Sequence, residues 1–558
     1  MSESKRPRSV SRVRIPIDAR LLPLSLDPTI FIPPEILQRH NARILDPTTT
    51  PMVDGQPPFR PTVYIADRLM VSGAAEFAAR TSLDQAADLL GLELQPHAAE
   101  VTRRDALIAV AAKTRVANDP SFARDPEANL AAAAVSFPTF HRIVPKASSS
   151  AAPDAWEVIQ KYRAQVGANN EPAQQVSLSH LMFANPFIHG SPFIHGSPFI
   201  HGSPFIHGSG DAEYAMAGSG GLSPVRWMGA EPVRHATVSP RRPVVAVLDT
   251  GVGEHPWMTP DVVTRGCVVN GISLGMYDAD ADADVAGGVI DPLQGELGCD
   301  TGHGTFVAGL IRQMCPDADI LSIRVMGADG VAEEHIVLEA LAGLATRQEA
   351  GQARGGDGSG FIDVLSLSLG YYHEQPIDSN YDSLLLDPLQ RLARCGTAIV
   401  VAAGNDATLR PMYPAAFSPH SGSTATKFDP NCVPIVGVGA LNPDGETTAL
   451  FSNEGEWVRC MAPGAALVSA FPTNVNGPAQ PSYRVAFGTS MRATIDPDNF
   501  ASGFATWSGT SFAAPILAGE IAQELLDGTH GDCGPTDAAS AVARGWAAFT
   551  AKTKVDKP

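Results

Sequence analysis

Residues 244–251 read VVAVLDTG: five apolar residues that end on an aspartate in a turn. A continuous β-branched run closed by glycine is the pattern of a strand buried on both faces. Four more segments repeat it: ADILSIRVM (318–326), FIDVLSLSLG (361–370), GTAIVVAAGN (396–405) and CVPIVGVGAL (432–441). Between them lie helical stretches at 304–314, 334–350 and 381–396. Strands alternating with helices predict an α/β unit, with a mostly parallel sheet covered by helices on both faces.

In such sheets reactive groups gather at the carboxyl ends of the strands, which directs attention to Asp249. A second signal is GCDTGHGTFVAGLIRQM (298–314), where His303 stands between glycines at a helix start. The small residues Gly304, Ala308 and Gly309 let that helix approach a neighbour closely. The third is WSGTSFAAPILAGEIAQEL (507–525), which sets Ser511 at the N-terminus of an apolar helix, with Pro515 in its first turns. A serine there caps the helix or, with developing negative charge favoured nearby, acts as a nucleophile. Another GTS, in FGTSMRATIDPD (487–498), is followed by turn formers and Pro497, so no positioning helix begins at Ser490. Asp249, His303 and Ser511 together supply a carboxylate, an imidazole base and a hydroxyl, the set that nucleophilic serine chemistry requires. Asn405, after a buried strand and a glycine turn, offers an amide to an oxyanion, with the Ser511 N–H as second donor.

The order Asp, His, Ser with VLDTG, GHGTFVAG, AAGN and GTSFAAP resembles the subtilisin-like serine peptidases over roughly 240–530. The resemblance implies a serine endopeptidase with Asp249, His303 and Ser511 as triad and Asn405 as oxyanion donor. It also implies that Ser368, Leu369 and Gly370 form one wall of the substrate pocket and Ala402, Ala403 and Gly404 the other. The expected partner is a polypeptide substrate, and no cofactor is required. Family members often bind structural calcium. In DADADADV (278–285), Asp278, Asp280, Asp282 and Asp284 alternate in a way that suits a hard cation, or they form a solvated acidic loop.

Upstream, residues 1–60 are proline-rich and read as an extended arm. Residues 61–170 read as a small α+β unit, with a strand at 62–71 and helices at 74–92, 103–114, 126–135 and 153–167, the last capped by Asp154. By position alone that unit corresponds to the prodomain of secreted relatives. Residues 171–223 read as a linker, 224–530 as the peptidase unit and 531–558 as a helical extension and tail. Within the linker, 186–209 repeats PFIHGS four times. Six residues span about 20 Å when extended, so His189, His195, His201 and His207 make a poor metal array. Four hexads are also too few for a β-helix. Two readings stay open: a turn-punctuated linker, or the product of a self-processing precursor cut by its own peptidase unit.

The chain carries 59 acidic and 40 basic residues, a net −19, which argues against nucleic acid or anionic membrane as partner. Hydrophobic residues make up 44 % of it, enough for large cores. No run is long enough to span a membrane, and the N-terminus lacks the apolar stretch of a secretory signal. Seven scattered cysteines without a CxxC pair suit reduced thiols. A cytoplasmic protein is the expectation, its oligomeric state open.

Overall fold

A computed structural model of the chain describes residues 32–50, 58–73, 76–96, 98–167, 175–184, 221–238, 241–276, 289–291, 295–353, 360–374, 383–420, 429–528 and 537–555. The repeats at 186–209 and the aspartates at 278–284 lie outside them.

Helix α1 (Pro34–Arg39) leads into strand β1 (Ala42–Leu45), which pairs antiparallel with β2 (Thr62–Val71). The proline-rich arm is therefore in part a strand of the first unit. Next come α2 (Glu76–Leu89), β3 (Leu92–Pro96), α3 (Ala98–Asn118), α4 (Pro126–Ala134), β4 (Thr139–Pro145) and α5 (Ala155–Val166). Asp154 caps α5 as its sequence predicts, accepting the Trp156 N–H at 3.0 Å. Trp156, Ile159 and Tyr162 then face inward with Leu83 and Ala87 of α2. Residues placed in the linker from 171 onward include β5 (Val176–Phe183), which pairs antiparallel with β2 from Val176 to His180. Local sequence missed β5 because its polar residues Ser179 and His180 are buried by partners distant in the chain.

The second unit holds the expected sheet. Strands β6 (Val244–Asp249), β7 (Val263–Arg265), β8 (Asp319–Arg324), β10 (Val364–Leu367), β11 (Ala398–Ala402), β12 (Ile435–Leu441) and β13 (Val458–Pro463) run in the order β13-β12-β11-β10-β6-β8-β7. Every pairing is parallel. All five sequence-predicted strands are in it; the short edge strand β7 and the outer β13 were not anticipated. Side chains alternate across the sheet with period two. Val245, Val247, Val400, Val436 and Val438 face helices α6 (His303–Met314) and α9 (Thr510–Asp527). Ala246, Leu248, Leu365, Ile399 and Val401 face α7 (Glu334–Ala353) and α8 (Ser383–Arg394). Both faces being covered explains the near-continuous apolar runs. In the helical extension, α10 (Ala538–Thr553) puts Trp546 and Phe549 into the same core as α9.

The two units share a sheet. Strand β9 (Val331–Glu333) of the second unit pairs antiparallel with β5 of the first, in the register Val331 with Phe183 and Glu333 with Leu181. Helix α3 also docks on α7, where Arg103 bonds Glu339 and the Ser273 carbonyl. Among the described residues no helix is long and apolar enough to cross a membrane, and the six described cysteines are free thiols.

Candidate active site

Asp249 is the last residue of β6, at the carboxyl end of the sheet's middle. Its Oδ1 accepts the Thr250 N–H at 2.8 Å and lies 2.7 Å from Nδ1 of His303. Both side chains are buried. Facing a carboxylate, Nδ1 carries the proton, which leaves Nε2 as the basic nitrogen. What brings the pair together is Gly304. A Cβ there would sit 2.1 Å from the Gly251 carbonyl oxygen, and its N–H bonds Thr250 Oγ1 at 3.0 Å. The first turn of α6 is thus latched onto the turn that follows Asp249, and no residue but glycine fits.

Ser511 is the second residue of α9. Pro515 lies four positions on and has no N–H to give the Ser511 carbonyl, so a helix bond is missing there. Ser368 Oγ takes its place and donates to that carbonyl at 2.8 Å. The nucleophile candidate is therefore anchored to the strand end after β10. The His303 ring lies against Phe512, centroids 5.1 Å apart, and edge-on to Trp507 at 5.5 Å. Asn405 Oδ1 accepts both the N–H and the hydroxyl of Thr510, each at 2.9 Å. That fixes the amide orientation and turns its NH2 end away from Thr510.

The cleft is already spanned by peptide. Ser511 Oγ donates to the Ala184 carbonyl at 2.6 Å. Phe183 and Gly370 exchange both backbone bonds, at 2.8 and 3.0 Å, and the Ala184 N–H reaches the Gly330 carbonyl at 2.9 Å. The end of β5 is thus an extended strand between β9 and Gly370, with its last described carbonyl on the serine.

Of the anticipated walls, Gly370 pairs with this strand directly and Ser368 acts through Ser511. The Leu369 side chain is fully buried in the core, as are those of Ala402 and Ala403. Gly404 donates its N–H to Thr510 Oγ1 at 3.0 Å, beside Asn405. Ser490 is exposed on a hairpin, apart from this constellation.

Gly330, Asp300, Glu334 and Glu374 were not singled out from sequence. Gly330 adopts φ +71°, and a Cβ there would strike Asp300 Oδ2. Its signal was a turn, Ala328–Asp329–Gly330, just past a strand's carboxyl end. Asp300 is fully buried behind His303, and its Oδ1 has no hydrogen-bond partner among the described residues. Burial pushes its carboxyl up, to about 7; His303 pulls the other way and Asp249 adds to the rise. Among the described residues, the histidine and carboxylate group able to converge on a metal ion is His180, His373 and Glu374, with ligand atoms within 4.8 Å of one another. Both ring nitrogens of His180 are already engaged, by Glu334 at 2.7 Å and Glu374 at 2.9 Å.

Residues 241–528 match the family model described as the subtilase family, Peptidase S8. The subtilisin-like serine protease Pen ch 13 of Penicillium rubens is 26 % identical over 236 residues, 41 % of this chain and 45 % of its own. The extracellular protease of Xanthomonas campestris is 26 % identical over 312 residues, covering 50 % of this chain and 43 % of its own. Serine protease AprX of Bacillus subtilis is 26 % identical over 304 residues, 51 % of this chain and 57 % of its own. The chain spans about half the length of these curated relatives. A solved structure, of a cold adapted subtilisin-like serine proteinase, is 21 % identical, with a TM-score of 0.34, covering 60 % of this chain and 93 % of that one.

Proposed function

Because this chain belongs to the subtilase family, we propose that it is a serine endopeptidase that hydrolyses peptide bonds through Ser511, His303 and Asp249. The observation that carries the proposal is a peptide carbonyl held 2.6 Å from Ser511 Oγ, with His303 oriented by Asp249 at 2.7 Å. Ser511 Oγ attacks the carbonyl carbon and His303 Nε2 takes its proton, while Asp249 holds the ring and stabilises the imidazolium. The oxyanion is met by the Asn405 amide and the Ser511 N–H. Collapse expels the amine with the proton from His303. Water then repeats the sequence on the acyl-enzyme and frees the acid. No cofactor enters these steps.

A second reading concerns what is cut. The residue on the serine is Ala184, and the PFIHGS repeats begin two residues later, at Pro186. Cleavage after this strand would separate the first unit from the repeats, as a self-processing precursor requires. Intact masses of the full chain and its Ser511→Ala variant, followed over time with fluorophosphonate labelling, test both readings. We expect wild type to label and Ser511→Ala not to. Wild-type chain that neither labels nor cleaves any protein sinks the peptidase reading. Fragments ending between 184 and 210, absent from the variant, support self-processing, and an intact wild-type mass opposes it.

A further inference from the structure

Strand β5 does more than fill the cleft. Residues 180, 182 and 184 share one face of it. Ala184 lies on Ser511, and Met182 is buried in the core cluster that joins the two units. His180 is buried between two carboxylates of the second unit. Glu334 Oε2 accepts the His180 backbone N–H at 2.9 Å and lies 2.7 Å from its Nδ1. Glu374 Oε2 lies 2.9 Å from Nε2. Tyr371 stacks on the imidazole, ring centroids 4.5 Å apart. Glu334, Glu374 and Tyr371 are all buried, and all belong to the second unit. Only the cations come from the first: His180, and Arg163 of α5 at 3.9 Å from Glu374 Oε1.

The charges balance only while that strand is seated. Glu334 opens α7, where the helix N-terminus favours a negative side chain. The other neighbour, His373, is held neutral by burial, down at about 4 despite Glu374 beside it. Two buried carboxylates facing one pocket strongly demand a cation. Any peptide that takes the place of β5, pairing with β9 and Gly370, presents the side chain four residues upstream of its reacting carbonyl to this pocket.

We propose that Glu334 and Glu374, over Tyr371, form an acidic subsite of the peptidase that selects polypeptide substrates with a cationic side chain four residues upstream of the residue held on Ser511. This rests on the peptidase reading, since β5 is taken to lie as a substrate does. His180 is the occupant that the chain itself supplies.

The test uses the full chain. Labelling of Ser511 by a fluorophosphonate reports how firmly β5 is seated. His180→Arg is expected to label as slowly as wild type, and His180→Gln about tenfold faster. In a Glu334→Gln, Glu374→Gln background that difference should vanish. Equal rates for the Arg and Gln variants would overturn the proposal, because disturbed packing alone does not discriminate by charge. A second measurement needs no catalysis: anisotropy of fluorescent hexapeptides copying residues 179–184, added to the chain carrying Ser511→Ala and His180→Glu. Peptides with Lys or Arg in the His180 position are expected to bind about tenfold tighter than the Gln peptide. Equal affinities, no binding of any peptide, or binding that needs added zinc overturns the subsite. Failure of every variant to label sinks the peptidase reading instead, and the peptide affinities still decide this one.

Discussion

At the scale of single residues, Asp249 acts through one oxygen, which holds both the Thr250 N–H and the His303 ring. Asp249→Asn keeps the shape but presents an amide where the ring needs an acceptor, so the wrong tautomer is favoured. Fluorophosphonate labelling, measured as a second-order rate, is expected to fall by about 10⁴-fold. On the proposed mechanism Asn405 donates to the oxyanion, so Asn405→Ala should lower peptide turnover about 10²- to 10³-fold. Asp300 answers to pH. Its carboxyl is raised from 3.8 to about 7 by burial, so the folded chain disfavours the charged form. Its contribution to stability is full below pH 3.8 and is lost as pH rises towards 7. The thermal midpoint of the Ser511→Ala chain should therefore slope downward across that window, and Asp300→Asn should remove the slope. The placement of Asp249, His303, Ser511 and Asn405 was legible in the sequence, because each stands near a strand end or helix start with telling neighbours. Asp300 was not: an aspartate in CDTG reads as a turn former until Gly330 is seen folded over it.

At the scale of elements, α9 shows how a local irregularity is turned to use. Pro515 in a helix interior would leave the Ser511 carbonyl unpaired, and Ser368 supplies the missing donor. Ser368→Ala leaves that buried carbonyl unsatisfied and should destabilise the chain by about 1–3 kcal/mol. Urea unfolding in the Ser511→Ala background reads this directly, since the carbonyl is backbone and survives the substitution. The same reasoning explains which elements sequence could reveal. Strands β6, β8, β10, β11 and β12 are buried on both faces and announce themselves as apolar runs. Strands β5 and β9 do not, because each is completed by the other unit. β9 is three residues long, and β5 buries Ser179 and His180 in place of valines.

At the scale of the whole molecule, the first unit is tied to the second by backbone pairing and by buried charge. His180 is the central tie: burial pulls its imidazolium down, but Glu334 and Glu374 outweigh it and lift the group from 6.5 to about 10. The stability it contributes is full below pH 6.5 and is lost as pH rises through about 10. Thermal midpoints of the Ser511→Ala chain should decline across that window, whereas His180→Arg, charged throughout, should hold. By itself the sequence determined the parallel sheet, its two layers of helices and the residues at its carboxyl edge, because strand burial and helix starts leave their marks within a few residues. Only the tertiary structure decided that residues 176–183 form a strand, that Ala184 lies on Ser511, and that Glu334 and Glu374 close around His180. Those pairings join segments more than about a hundred residues apart, and their partners are fixed by which sheet edge and which charges meet in space, not by any local period.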